Sequence, residues 1–180
     1  NVSGNAEVRA GNRARNTMIL AGSTDALDVW KLKVAQGQFL PRDDLRSARA
    51  FAVLGSKLSQ ELFGGKPALG QWVRIGDSRF LVIGVLESKG SLLGFDMDDA
   101  AYIPVSRGLA LFNREGLMET DILFNAGLAA EQVEAKVKAL MRQRHGEEDF
   151  TLISQAEMLG TLDRILNVLT LSIAALGSIS

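Results

Sequence analysis

The last sixteen residues, Ile165 to Ser180 (ILNVLTLSIAALGSIS), carry no charge, and this run limits most what the chain can fold into. As a helix, with about 1.5 Å rise per residue, it reaches roughly 24 Å. A bilayer core of about 30 Å asks for about 20 residues, so the run reads as the start of a membrane-spanning helix. Upstream, Ser154 and Glu157 form an S-x-x-E capping box, which satisfies orphan N–H groups and starts a helix. Met158, Leu159, Leu162, Ile165 and Leu166 continue it as an apolar stripe at helical spacing. Asp163 and Arg164 are the last charges. Residues 154–180 are therefore expected to be a stalk leading into a membrane. The competing reading is a C-terminal helix buried in a core.

Composition suits a water-exposed domain attached to such a helix. The 180 residues are 23% charged with a net charge of −1, which excludes the basic excess that nucleic acid binding needs. Cysteine is absent, so disulfides and thiolate metal sites are excluded. The first sixteen residues (NVSGNAEVRAGNRARN) are polar and contain no apolar core of a signal peptide.

Periodicity predicts the elements between. Thr17 to Ala21 reads as a strand, followed by a helix opened by Asp25, carrying Leu27, Trp30 and Val34, and closed at Gly37. Residues 42–48 are a polar linker. Phe51 to Leu54 is a buried strand, and Ser56 opens a helix through Leu58, Leu62 and Phe63 that ends at Gly64. Trp72 to Ile75 and Phe80 to Leu86 alternate as a hairpin around Gly76-Asp77-Ser78. Ala101 to Val105 is a strand, with a short helix through Leu109 and Phe112 behind it. Thr120 to Phe124 and Phe150 to Ile153 are strand candidates on either side of a helix from Ala129 to His145, whose inner face is Val133, Val137, Leu140 and Met141. Setting aside 49–97 leaves β–α–β twice, the split ferredoxin-like order. The expected fold is thus α+β: a discontinuous lobe of 1–48 and 98–153, an inserted small α/β lobe of 49–97, and the stalk with the start of the transmembrane helix at 154–180.

The search for chemistry returns little. A serine or cysteine nucleophile needs a base, and His145, the single histidine, is explained by its place in the last turn of a helix. Phe63 to Gly70 has glycines but lacks the lysine and hydroxyl spacing of a phosphate-binding loop. Asp96, Asp98 and Asp99 could ligate a hard cation, yet the further regular oxygen ligands are missing, and a turn-stabilising cluster is the preferred reading. No catalytic, cofactor or metal residue is assigned. Leu92, Leu93 and Phe95 are the candidate site: three apolar residues in a glycine-flanked loop, readable as a patch for another protein or as tucked onto their own lobe.

The ordered set of short motifs is informative. It comprises Gly37-Gln38-Phe39 with Asp43-Asp44, Phe51-Ala52-Val53-Leu54-Gly55, Leu62-Phe63-Gly64, Leu69-Gly70-Gln71 and Phe80 to Leu86. Lys89-Gly90, Gly94-Phe95-Asp96-Met97-Asp98-Asp99, Ile103-Pro104 and His145-Gly146 with Asp149-Phe150 complete it. With these the chain resembles the periplasmic core domain of MacB-type ABC transporter permeases, over nearly its whole length. The resemblance implies a porter-like lobe from the flanking halves, with 49–97 as the family's inserted subdomain. It implies a periplasmic or extracytoplasmic domain of a permease in the bacterial inner membrane. The permease would be a homodimer working with an ABC ATPase and with a periplasmic adaptor or lipoprotein. No enzymatic residue is carried over, and no cofactor is expected. The implied role is mechanical, transmitting ATP-driven change to periplasmic partners or substrate in efflux or lipoprotein transport. Two other readings remain open: an FtsX-like coupling domain that regulates cell-wall hydrolases, and a soluble binding protein.

Overall fold

Alternating burial begins at the second residue. The computed structural model describes residues 1–43, 48–92, 94–125, 127–146 and 150–177. Among them the chain runs β1 (Val2–Ala10), β2 (Arg13–Gly22), α1 (Ala26–Val29), β3 (Val34–Gly37), β4 (Phe51–Leu54), α2 (Ser56–Phe63) and β5 (Trp72–Ile75). It continues with β6 (Ser78–Leu86), β7 (Ser91–Leu92), β8 (Phe95–Asp96), β9 (Ala100–Pro104), α3 (Val105–Leu111), α4 (Ala130–His145) and α5 (Gln155–Gly177). Asn1–Ile122 and Leu123–Ser180 form two separate units.

In the first unit, β1 and β2 pair antiparallel from Val2↔Ala21 to Ala10↔Arg13. Val2, Val8 and Ala10 turn inward with Ile19 and Ala21, while Asn5, Glu7 and Arg9 face out. The sequence assigns no element to this polar stretch, because a strand with one wet face and small inward residues has low mean hydropathy. Strand order is β3-β6-β4-β9-β2-β1-β5, and β5 pairs with β6 as well as with β1. Six strands therefore close into a ring, with β3 attached to the outside edge of β6. Closure is possible because β6 is long: its first residues pair with β5 and its later ones with β3, while its other edge holds β4.

The ring encloses one apolar cluster. Leu58 and Leu62 of α2 sit among Val2, Val8, Ile19, Leu54, Val73, Ile75 and Phe80. From its sequence, 49–86 is expected to form a β–α–β–β lobe with a modest core of its own. Its strands instead share a sheet and a core with β1 and β2, since neither face of a four-residue strand buries enough alone. A second cluster lies outside the ring, where Leu32, Phe39, Leu40, Met97 and Tyr102 pack with Trp30.

Several elements differ from expectation. The helix from Asp25 stops at Val29; Lys31 takes φ 48°, and Val34 to Gly37 join β6 as β3. An unfilled edge of β6 offers that segment a ladder of hydrogen bonds, which outweighs local helix propensity. At the crossing, Gly37 (φ 75°) pairs with Gly84, and a Cβ on either would strike a backbone carbonyl of the other strand's neighbours. Thr120 to Phe124 and Phe150 to Ile153 form no strand among the described residues. Residues 118 and 119 donate their N–H groups to the Asn1 carbonyl instead of entering a ladder.

In the second unit, α4 ends at Gly146 in the left-handed conformation, as its sequence predicts, with Arg142, Arg144 and His145 in the last turn. Val133, Val137 and Met141 are half-buried and Leu140 is exposed, so the expected inner face is only partly covered. The Glu157 N–H donates to Ser154 Oγ at 3.2 Å, and α5 then runs unbroken past Gly160. No described helix is long and apolar enough to cross a membrane, so the start of a transmembrane helix expected at 154–180 is not shown. The uncharged part of α5, 165–177, spans only about 20 Å as a helix, and Asp163 and Arg164 stand at its foot.

Candidate interaction site

Sequence singles out Leu92, Leu93 and Phe95. Leu92 lies in β7 and pairs across a short hairpin with Phe95 in β8, as Ser91 does with Asp96. Phe95 is 52% exposed, an uncommon position for an aromatic ring of this size. Leu93 lies outside the described residues.

Below this tip the hairpin is clamped. The Asp98 carboxylate accepts from the Lys89 N–H at 2.7 Å, the Gly90 N–H at 3.1 Å and the Ser88 hydroxyl, tying both legs together. Burial alone would raise the Asp98 pKa, but these donors outweigh it and hold the carboxyl below the ordinary range. Asp96 is likewise held low, chiefly by Lys57, whose ammonium lies 2.8 Å away on α2. Asp99 receives a two-pronged bond from Arg15 of β2, at 2.7 and 2.6 Å, and its backbone carbonyl accepts from the buried Thr17 hydroxyl. Lys89 reaches across to the carbonyls of Trp30 and Lys31. From inside the second core cluster, the Tyr102 hydroxyl donates to the Met97 carbonyl at 3.1 Å, and burial pushes its pKa well above the usual phenol value.

The three aspartates that might have gathered round a cation are thus engaged by basic and N–H partners, with Lys57 between Asp96 and Asp99. Among the described residues, no group of three metal-ligating side chains converges. The arrangement is a hydrogen-bonded base carrying an exposed ring. Sequence reading saw the acidic cluster but not its partners, since Arg15 and Lys57 are distant in the chain and only strand register brings them near.

Two shallow grooves accompany the sheet. One, of about 370 Å³, runs beside Gly37, Leu69 and Leu81; the other, of about 310 Å³, lies where β2 and β9 end, beside Ser23, Thr24, Arg42 and Ser106. The second also brings Asp25 and Asp43 beside these hydroxyls, each carboxylate held by an arginine, Arg42 and Arg49.

The family description "MacB-like periplasmic core domain" matches residues 1–140. The pyoverdine export ATP-binding/permease protein PvdT of Pseudomonas entomophila (strain L48) is 31% identical over 183 residues, covering 99% of this chain and 28% of its own length. The macrolide export ATP-binding/permease protein MacB of Marinobacter nauticus (strain ATCC 700491 / DSM 11845 / VT8) is 30% identical, with 99% and 28% covered. The chain therefore spans little more than a quarter of these relatives. In fold, it is similar to the crystal structure of the periplasmic region of MacB from Actinobacillus actinomycetemcomitans, with TM-score 0.71 and 21% identity over 91% of this chain and 73% of that one. It is also similar to the extracellular domain of the ABC-type transporter YknZ from Gram-positive bacteria, with TM-score 0.62 and 21% identity over 82% and 75%. On the match of its first 140 residues, the chain belongs to the MacB-like periplasmic core domain family.

Proposed function

We propose that this domain serves an ABC-type export permease of the bacterial inner membrane as a mechanical relay, with no reaction of its own. In this reading it passes ATP-driven movement from the membrane portion to a periplasmic adaptor, lipoprotein or substrate, within a homodimeric permease coupled to its ATPase. The observation that carries the reading is α5: a single capped helix from Gln155 to Gly177, uninterrupted at Gly160. A helix of this kind can transmit displacement along its axis, because its hydrogen bonds run parallel to that axis. Its exposed apolar flank, with Leu171 72% and Ile173 70% accessible, fits a continuation into lipid or a partner helix. The clamped hairpin with Phe95 at its tip would be a contact for the partner.

The test is Leu162→Pro in the full-length permease with its ATPase. Proline within α5 removes a ladder bond and clashes with the preceding turn, costing about 3 kcal/mol or more locally. Export is expected to fall while the protein stays in the membrane and ATP hydrolysis persists. Undiminished export by the variant at normal membrane abundance would overturn the relay.

A further inference from the structure

On the outer face of the ring, strand register lines up three arginines. Arg9 of β1 stands opposite Arg74 of β5, and Arg74 stands opposite Arg79 of β6. All three are exposed, and Trp72, 51% accessible, lies diagonal to Arg79 with the guanidinium 5.1 Å from its ring. Like charges directly opposite on neighbouring strands are destabilising. The chain as a whole has a net charge of −1, so this row is a local concentration and not a general basicity. Its neutralisation is incomplete: Glu7 pairs with Arg9 at 2.7 Å and Asp77 reaches Arg74 only at 4.0 Å. Among the described residues, Arg79 has no carboxylate within ion-pair distance.

We propose that this face of β1, β5 and β6 is a docking surface for a carboxylate-rich protein segment, gripped by Arg9, Arg74 and Arg79 and anchored on Trp72. Charge complementarity names the partner's sign, and the planar guanidinium fork matches carboxylates two bonds at a time. Arginine and tryptophan are also the residue types that dominate binding hot spots in protein interfaces. A lipid headgroup layer or a polyphosphate would share the negative charge. Either would have to lie against Glu7 and Asp77 at the margins of the row, whereas a protein segment can place cations or neutral groups there. The surface goes beyond the relay reading and stands whether or not the domain transmits force.

The experiment measures binding of a labelled alternating glutamate–valine peptide to this chain at low salt. Trp72 emission is expected to change on binding. Arg74→Gln and Arg79→Gln should each weaken binding about tenfold, with melting temperature unchanged or raised because the row's self-repulsion is relieved. Arg74→Lys, which keeps the charge and removes the fork, should weaken it a few-fold and guards against a folding defect in the glutamine variant. Arg42→Gln, at an exposed arginine elsewhere in the sequence, should leave it unchanged. Leu162→Pro, which tests the relay, should also leave it unchanged. Equal binding by the row variants, an equal loss in Arg42→Gln, or binding to phosphatidylglycerol vesicles in preference to the peptide would overturn the proposal.

Discussion

Single residues hold the structure where chains approach most closely. Gly84 leaves no room for a Cβ, because the Gln38 carbonyl occupies that space and Gln38 is itself held by donating its N–H to the Ile83 carbonyl. Gly84→Ala is expected to destabilise the first unit by about 1–3 kcal/mol, the usual range for overpacking, read as a lower denaturant midpoint at unchanged slope. Asp98 makes a second residue-scale prediction. Its folded pKa, like that of Asp96, lies below the ordinary value. Its contribution is therefore present above the unfolded pKa of about 4 and is lost as pH falls through the folded value. Melting temperature should drop on acidification below about pH 4, and the drop should be shallower in Asp98→Asn, which has no carboxylate to protonate. An equal acid slope in the two proteins would remove Asp98 from the account.

Elements show what the clamp is for. Strands β7 and β8 have two residues each, too few to be stable as an isolated hairpin, so their shape comes from Asp98, Lys57 and the bonds to β2. Under the proposed relay, replacing Leu92, Leu93 and Phe95 together by serine should abolish binding of its periplasmic partner while leaving the melting curve nearly unchanged. A collapse in stability would show instead that the tip packs onto its own domain. The hairpin was legible as an apolar loop beside an acidic cluster, but its long-range bonding was not, because the partner groups come from residues 15 and 57.

The whole molecule divides by burial. Asn1–Ile122 holds the closed ring and its enclosed cluster, whereas among the described residues from 123 to 173 no side chain is fully buried. Amide exchange should accordingly be slowest in β2, β4, β6 and β9 and much faster across α4, where few buried contacts oppose opening. Protection of α4 equal to that of the ring strands would contradict this division. Ring closure also explains why the division was hidden. It depends on β6 serving β5, β3 and β4 along different stretches, a pairing that no local pattern encodes.

What the sequence by itself determined were features set by neighbours along the chain. The Ser154 cap, the Gly64 and Gly146 helix ends, the β5–β6 hairpin, the α2 stripe of Leu58 and Leu62, and the mixed α/β class all follow from periodicity and terminal chemistry. Tertiary structure alone decided the features that need distant partners. β3 formed where a helix was expected because β6 had an edge to fill, and Thr120 to Phe124 stayed out of the sheet because no described strand pairs with it. The arginine row exists only because β1, β5 and β6 adopt one register. Local propensity amounts to tenths of a kcal/mol per residue, and long-range pairing and burial outweigh it wherever the two disagree.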